Sequence, residues 1–314
     1  YLYGGAGTGK TYSAEKIAKL LDWELITINC SQYTSPLDIL GGQTIEGYQE
    51  GRLSMAWSNT VYDSSGKSRK VDGCVLLLDE LPKIDPNTAG LLNDALAKIK
   101  PDEKDATTGM WIMPKIRNGK GQLITLGNLY VIATGNVPLN TIDPDYEANF
   151  KQDLSLQDRF IGSTYKVKIN YDYELNNIMK GYAFIWIFLS KVRLAIAKYK
   201  AGGQAFISLR IMINARETYR YYRDNLEDQK SGLQDLIKSP KTLIDTMDAL
   251  FGLFKPAVQQ KILDDVNYDD FKKTLKLKDK MPYKHSKLEK ANDFDTDAEM
   301  KEAKGLIDEM NKEL

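Results

Sequence analysis

The stretch GGAGTGKT at residues 4–11 decides the fold of this chain of 314 residues. It fits the phosphate-binding pattern G-x-x-x-x-G-K-[ST], whose glycines allow a tight turn. That turn directs backbone N–H groups at phosphate oxygens, at the positive end of the helix that follows. A glycine-rich turn without a ligand is the simpler alternative, and a match at every fixed position argues against it. The candidate phosphate ligands are Gly4, Gly5, Ala6, Gly7, Thr8, Gly9, Lys10 and Thr11.

Two residue pairs predict the chemistry of this site. The Lys10 ammonium would reach the β- and γ-phosphates of a nucleoside triphosphate, and the Thr11 hydroxyl would coordinate Mg²⁺. The apolar run at residues 75–78 ends in Asp79 and Glu80. Asp79 is predicted to hold Mg²⁺ through its waters, and Glu80 to polarise the water that attacks the γ-phosphate. A solvated acidic turn is the alternative for these carboxylates.

Composition limits the other classes of function. The chain has 43 Lys and Arg against 43 Asp and Glu, and this balance speaks weakly against an obligatory nucleic-acid partner. Cys30 and Cys74 adjoin apolar runs, so we expect small buried hydrophobes in a reducing compartment. The single histidine, His285, lies in a charged stretch, which argues against a histidine-based triad or zinc cluster.

The apolar runs are too short to indicate a membrane span, and no signal-peptide pattern is visible. We therefore expect a cytoplasmic protein without a membrane partner. Because the apolar run before the loop is so short and begins at Tyr1, we also expect that part of the first domain precedes this residue.

Alternating strand and helix patterns predict an α/β fold with a mostly parallel sheet, whose ligands bind beyond the carboxyl ends of the strands. We expect a P-loop NTPase sheet flanked by helices over residues 1–170, and then a smaller all-helical lid domain over 171–255. Residues 256–314 are charged and poor in large apolar side chains, so we expect a mostly helical or partly disordered extension. The predicted strands are 23–30, 75–78, 129–134 and 165–169, and the predicted helices are 13–21, 87–99, 183–199 and 209–226.

Further polar residues follow these elements. Asn136 comes just after the strand at 129–134, where its amide could orient the lytic water, although Gly-Asn also suits a simple turn. The triplet Asp158-Arg159-Phe160 lies downstream, and Arg210 begins a helical stretch that Ser208 could cap. With the loop at 4–11 and Asp79-Glu80, these motifs form an ordered set that resembles that of the AAA+ ATPases over roughly residues 1–225.

The resemblance implies a role for each residue. Asn136 would be sensor 1, and Arg159 an arginine finger that reaches into the site of the neighbouring subunit. A surface ion pair with Asp158 is the alternative for Arg159. Arg210 would be sensor 2, closing the lid onto the nucleotide of its own subunit. Arg216, further along the same helix, is a rival for that role.

The spacing is most similar to the MoxR-like group, which includes the CobS cobaltochelatase subunit and CbbQ. Residues 44–53 resemble the helix-2 insert of that group, residues 103–126 resemble its hairpin before sensor 1, and a long connector spans 137–154. The sequence departs from the group after Glu80 and at Leu209, where a proline is usual. ATP is expected over GTP because residues 135–138 lack the Met-Asn-Thr-x-Asp-Arg signature of the GTP-using McrB group.

The resemblance implies Mg²⁺-dependent ATP hydrolysis by a homo-oligomeric ring, expected to be a hexamer, that remodels or activates a protein partner. In this group the partner often carries a von Willebrand A (VWA)-type domain. An NTP-driven nucleic-acid motor, or the NTPase subunit of a restriction or packaging system, is the alternative. A nucleotide-gated scaffold without useful turnover is the third hypothesis.

Overall fold

The computed structural model describes residues 1–63, 65–99, 101, 103–139, 141, 149–150, 152–203, 205–230, 242–280 and 295–313. The chain divides into two compact units, Tyr1–Lys168 and Ile169–Leu314. Much of the connector predicted at 137–154 lies outside the described residues, and so does His285.

The first unit is built on a five-stranded parallel sheet, whose strands lie in the order Tyr165–Lys166 (β11), Leu2–Tyr3 (β1), Leu129–Gly135 (β10), Cys74–Asp79 (β7) and Glu24–Asn29 (β2). This arrangement confirms the predicted α/β fold. In chain order, the elements of the unit are β1 (Leu2–Tyr3), α1 (Lys10–Leu21), β2 (Glu24–Asn29), α2 (Pro36–Leu40), β3 (Gly41–Thr44), β4 (Gly47–Glu50), α3 (Arg52–Trp57), β5 (Thr60–Tyr62), β6 (Ser68–Lys70), β7 (Cys74–Asp79), a 3-10 turn (Leu81–Lys83), α4 (Pro86–Ala97), β8 (Lys115–Arg117), β9 (Leu123–Thr125), β10 (Leu129–Gly135), α5 (Leu154–Asp158) and β11 (Tyr165–Lys166). The last strand is shorter than the predicted 165–169.

Strand β7 is apolar throughout because both faces of the sheet are covered. Val75 and Leu77 pack with Ala14 and Ala18 of α1 on one face. The alternate residues of β7 belong to a second cluster with residues of α3 and α4. Burial on both faces fixes the strand at the centre of the unit, so that its carboxyl end delivers Asp79 to the edge of the sheet.

The register of the strands brings the predicted motifs to that edge. Asp79 is the register partner of Asn29 at the end of β2, and Leu78 is the partner of Ala133 in β10. Leu2 of β1 is in turn aligned with Thr134 of β10. Because neighbouring parallel strands end together, the loop after β1 and the residues after β7 and β10 lie side by side.

Three two-stranded hairpins accompany the main sheet within the described residues. The β8–β9 hairpin lies inside the stretch 103–126 where a hairpin was predicted, and it packs on the β3–β4 hairpin. Gly119 N donates to Leu40 O at 2.9 Å, and a Cβ on Gly119 would lie 2.0 Å from Gly41 O. Glycine is therefore required at this close approach.

The second unit is helical in its described residues. Its elements are α6 (Tyr171–Tyr173), a π-helical turn (Glu174–Ile178), α7 (Ala183–Lys198), α8 (Leu209–Lys230), α9 (Leu243–Phe251), α10 (Pro256–Asp265), α11 (Tyr268–Lys278) and α12 (Asp297–Glu313). Helix α7 is buried on all sides over its first two turns, so it is the central helix of the unit. Phe188 of α7 stacks on Phe271 of α11, with their ring centroids 3.8 Å apart.

The helices after residue 255 belong to this same core, whereas the sequence predicted a separate charged extension over 256–314. Ile262, Phe271 and Leu306 are buried in one cluster with the residues of α7. Asp295 also accepts hydrogen bonds from Gly181 N at 2.7 Å and Ala183 N at 2.8 Å, at the start of α7. The charged residues at the intervening positions obscure the helical spacing of the buried ones in the sequence.

Both cysteines are buried, as predicted. Burial raises the pKa of the Cys30 thiol to about 12, so it stays protonated and unreactive at neutral pH. None of the described helices is both long and apolar enough to cross a membrane.

Candidate nucleotide-binding site

The loop at residues 4–11 has the backbone that glycine permits. Gly7 and Gly9 have φ angles of 73° and 89°, in the left-handed region. A Cβ on Gly4 would lie 2.5 Å from Val167 O, so this position also requires glycine. Gly9 precedes the 12-residue helix α1 and supplies no side-chain cap. The first N–H groups of that helix are therefore oriented for an anion rather than for a capping side chain.

Lys10 links the loop to the end of β10. Its Nζ donates to Gly4 O at 2.8 Å, to Gly5 O at 2.9 Å and to Asn136 Oδ1 at 3.3 Å. Burial lowers the pKa of the Lys10 ammonium, while the carboxylates of Asp79 and Glu80 oppose the shift. The Lys10 ammonium is thus held at the loop by hydrogen bonds to neutral oxygens, and phosphate oxygens can replace these as its partners.

Thr11 and Asp79 form the second contact of the site. Thr11 Oγ1 donates to Asp79 Oδ1 at 3.1 Å and to Asp79 Oδ2 at 3.3 Å. A hydroxyl beside a carboxylate suits Mg²⁺, which prefers oxygen ligands and keeps several waters. Within the described residues no group of three or more His, Cys, Asp or Glu could hold a metal alone. Thr11 and Asp79 would therefore suit a Mg²⁺ ion that takes its other ligands from phosphate oxygens and water.

Thr134 joins the two acidic residues and was not predicted as a site residue. Its side chain lies in the buried part of β10, where its Oγ1 donates to Asp79 Oδ1 at 2.6 Å. The same oxygen accepts from Glu80 N at 2.9 Å. One hydroxyl thereby holds the carboxylate of Asp79 and the backbone of Glu80 together.

Glu80 leaves β7 through a left-handed backbone, with φ of 57° and ψ of 41°. Such a conformation costs a non-glycine residue about 1–3 kcal/mol, and residues that adopt it are enriched at functional sites. Its Oε2 pairs with Lys83 Nζ at 2.7 Å, and both side chains are partly exposed. An exposed pair of this kind contributes less than about 1 kcal/mol, so the carboxylate can exchange Lys83 for a water.

Asn136 is placed by a close approach between chain segments. A Cβ on Gly135 would lie 1.8 Å from Tyr1 Oη, so glycine is required at the end of β10. Tyr1 Oη donates to Val137 O at 2.6 Å, on the other side of Asn136. The Asn136 amide is therefore held beside Lys10 by its two neighbours in the chain.

The two predicted arginines lie in different units of the chain. Arg159 follows α5 in the first unit, is exposed, and donates from Nε to Asn93 Oδ1 at 3.2 Å. Arg210 is exposed in the first turn of α8, in the second unit, where Ser208 Oγ accepts from Ile211 N at 3.3 Å. The rival Arg216 is engaged by Glu217, with Nη2 2.6 Å from Oε1.

The basic stretch at residues 67–70 is exposed and ends in strand β6. Arg69 pairs with Glu24 at 2.8 Å, and Lys70 Nζ donates to Ser58 O at 2.8 Å. Two of its cations are thus engaged within the unit.

The structure therefore brings together Lys10, Thr11, Asp79, Glu80 and Asn136 at one edge of a parallel sheet. A glycine loop at a helix N-terminus, with a lysine, a hydroxyl and a carboxylate around it, defines the site of a P-loop nucleoside triphosphatase. A family model described as AAA domain (dynein-related subfamily) matches residues 1–160. The chain belongs to this family, which is a family of ATPases.

Curated relatives are similar over part of the chain. Uncharacterized proteins of Staphylococcus aureus strains USA300 and NCTC 8325 are 30% identical over 95 residues. The match covers 30% of this chain and 35% of each relative. The chain thus spans about a third of the length of the curated relatives that it matches.

Solved structures that match this chain share little sequence with it. A point mutant of Thermotoga maritima RuvB is 15% identical, with a TM-score of 0.45 over 79% of this chain and 61% of that chain. NtrX from Brucella abortus in complex with ADP is 14% identical, with a TM-score of 0.43 over 97% and 62%.

Proposed function

We propose that the chain hydrolyses ATP with Mg²⁺ and acts as a homo-oligomeric ring, a hexamer by resemblance to the MoxR-like group. The observation that carries the proposal is the pair of contacts from Lys10 to Asn136 and from Thr11 to Asp79. These two contacts join the phosphate loop to the ends of β10 and β7.

Each residue has a distinct part in the reaction. The N–H groups of the loop and Lys10 would hold the β- and γ-phosphates, and Thr11 and Asp79 would hold Mg²⁺, which offsets phosphate charge. Asn136 would orient a water whose oxygen attacks the γ-phosphorus, as the bond from this phosphorus to the β-phosphate oxygen breaks. Glu80 would accept the proton of that water, and ADP and phosphate leave.

The surroundings of Arg159 support its action on a neighbouring subunit. Leu154 and Ile161 flank this arginine in sequence and are 75% and 74% exposed. Large apolar side chains beside an exposed cation suit a contact with a second protein surface. In a ring, the same surface of each copy would meet the nucleotide site of the next copy.

The helical unit would serve as the lid, and Arg210 would contact the nucleotide of its own subunit. We infer from the resemblance that the ring remodels a protein partner, with a VWA-type domain as the first candidate. Membership of the MoxR-like group stays a prediction.

Glu80→Gln tests the proposed hydrolysis. The amide keeps the shape of the side chain but accepts no proton, so we expect phosphate release to fall at least about a hundredfold. ATP binding, measured as a dissociation constant, should remain close to parental. Glu46→Gln, the same change at an exposed turn, is the matched control. Parental turnover of Glu80→Gln would contradict the role of Glu80.

A nucleic-acid motor predicts a different behaviour of the parental chain. DNA or RNA would stimulate its ATPase rate, and the stimulation would fall steeply with salt because phosphate contacts release counterions. We expect no such stimulation. Salt-sensitive stimulation by either nucleic acid would favour the motor over the remodelling of a protein.

A further inference from the structure

Asn93, on the helix that follows Glu80, connects two parts of the chain that are distant in sequence. Its Nδ2 donates to Ser155 Oγ at 2.7 Å, and its Oδ1 accepts from Arg159 Nε at 3.2 Å. The side chain is half-buried, whereas Arg159 is exposed. Both hydrogen-bonding groups of the amide are thus used to fasten the segment that carries Arg159.

The bond to Nε constrains Arg159 without occupying the end of its side chain. Within the described part of the chain, the terminal nitrogens of Arg159 have no hydrogen-bond partner. A free arginine loses side-chain entropy when it is ordered. An arginine already held at Nε loses less, and its two terminal nitrogens can still bind an anion bidentately.

The segment is also fastened to the backbone after Glu80. Gln152 Nε2 donates to Pro82 O at 3.3 Å and to Ile84 O at 3.1 Å. Gln157 Nε2 in turn donates to Gln152 O at 2.9 Å. The backbone that follows Glu80 therefore also supports the segment that carries Arg159.

We propose that Asn93 is a positioning residue, which orients Arg159 toward the γ-phosphate of a nucleoside triphosphate bound to the neighbouring copy of the chain. This inference rests on the proposed function, because it requires Arg159 to act between subunits. In this role Asn93 would act through Arg159 and would itself contact neither the nucleotide nor the attacking water. A substitution of Asn93 should therefore slow hydrolysis in the nucleotide site of the neighbouring subunit and not in the site of the subunit that carries the substitution.

Asn93→Ala should lower kcat about tenfold, the size expected for loss of one hydrogen bond to a charged group, while the dissociation constant for ATP stays parental. Ser155→Ala should cause a smaller loss, because it removes the support of Asn93 but keeps the bond to Arg159. Asn87→Ala is the matched control, since Asn87 lies exposed on the same helix. Its kcat should stay parental.

Mixed rings distinguish positioning from local damage. Lys10→Ala subunits lack a working site but present an intact Arg159. When they are mixed with Asn93→Ala subunits, the intact sites of the latter should regain turnover above that of either variant alone. A defect confined to the folding of each Asn93→Ala site would not be repaired by a neighbour. The double variant Asn93→Ala/Arg159→Ala should be no slower than Arg159→Ala.

The outcomes separate this inference from the proposed function. If Arg159→Ala slows turnover and Asn93→Ala does not, the positioning role is wrong and the proposed function stands. If mixing with Lys10→Ala subunits restores turnover to Arg159→Ala subunits but not to Asn93→Ala subunits, the positioning role is also wrong. If Asn93→Ala fails to fold, parental turnover of Ser155→Ala would overturn it. A parental rate for Arg159→Ala contradicts the proposed action between subunits instead, and with it the basis of the inference.

Discussion

Two sets of charged side chains, one from each unit of the chain, are arranged in opposite ways. In the sheet unit, Lys10, Asp79 and Glu80 gather where strands end, and their partners are neutral oxygens or exposed groups. In the helical unit, Arg193 and Glu174 are buried and neutralise each other. The charged groups of the first set are available to bind a ligand, whereas Arg193 and Glu174 are fully used in binding each other. Charge in the sheet unit thus points to function, and buried charge in the helical unit to structure.

Arg193 shows how completely the helical unit satisfies a buried cation. Its Nη1 and Nη2 donate to the two carboxylate oxygens of Glu174 at 3.1 and 3.3 Å. Its Nε and Nη2 also donate to Ile207 O at 3.1 and 3.0 Å. Bidentate geometry with added carbonyl contacts is what a buried pair needs to offset its desolvation.

Arg193→Ala should have the largest effect on stability. It leaves the Glu174 carboxylate buried without its cation, so the free energy of unfolding should fall by about 3–5 kcal/mol. Urea titration followed by far-UV circular dichroism measures the change. The double variant Arg193→Met/Glu174→Leu should recover most of the loss, because it leaves no buried charge. A loss below about 1 kcal/mol for the single variant would mean that the pair is not buried in solution.

The same contrast explains how much of the site could be predicted from the sequence. A phosphate loop has fixed spacing, and a buried central strand is a continuous apolar run that ends abruptly in polar residues. Lys10, Asp79 and Glu80 therefore stand out locally. The parallel sheet then places these positions together, since it aligns the carboxyl ends of its strands.

Thr134 and Asn93 could not be found in this way. Thr134 is an ordinary strand former, and its role arises because β10 and β7 are in register. Asn93 meets Arg159 across 66 residues, through the packing of α5 on α4. The helices beyond residue 255 belong to the core of the second unit for a related reason, since their few apolar residues pack in one cluster with those of α7. Contacts between distant segments, rather than local patterns, set all three features.

Thr134→Val tests whether the Thr134 hydroxyl positions the acidic residues of the sheet unit. The change keeps the shape but removes the oxygen that contacts Asp79 and Glu80 N. We expect kcat to fall about tenfold or more, and the free energy of unfolding to fall by about 1–3 kcal/mol, since Glu80 N loses its partner. Thr134→Ser keeps the hydroxyl and should retain most activity. Equal kcat values for the Ser and Val variants would show that the hydroxyl does not position the carboxylates.

Lys191→Ala should have the smallest effect on the free energy of unfolding. Comparison with Arg193→Ala tests whether burial makes an ion pair important for stability. Lys191 lies two residues before Arg193 on α7, and its Nζ pairs with Glu302 Oε1 at 2.6 Å. Its side chain and that of Glu302 are 40% and 47% exposed, so water screens both partners whether or not they meet. The free energy of unfolding should change by less than about 1 kcal/mol. Because both variants remove a cation from one helix, the difference between their unfolding free energies reflects mainly what burial adds to an ion pair. Losses of similar size would mean that the distinction drawn between buried and exposed charge does not hold in this unit.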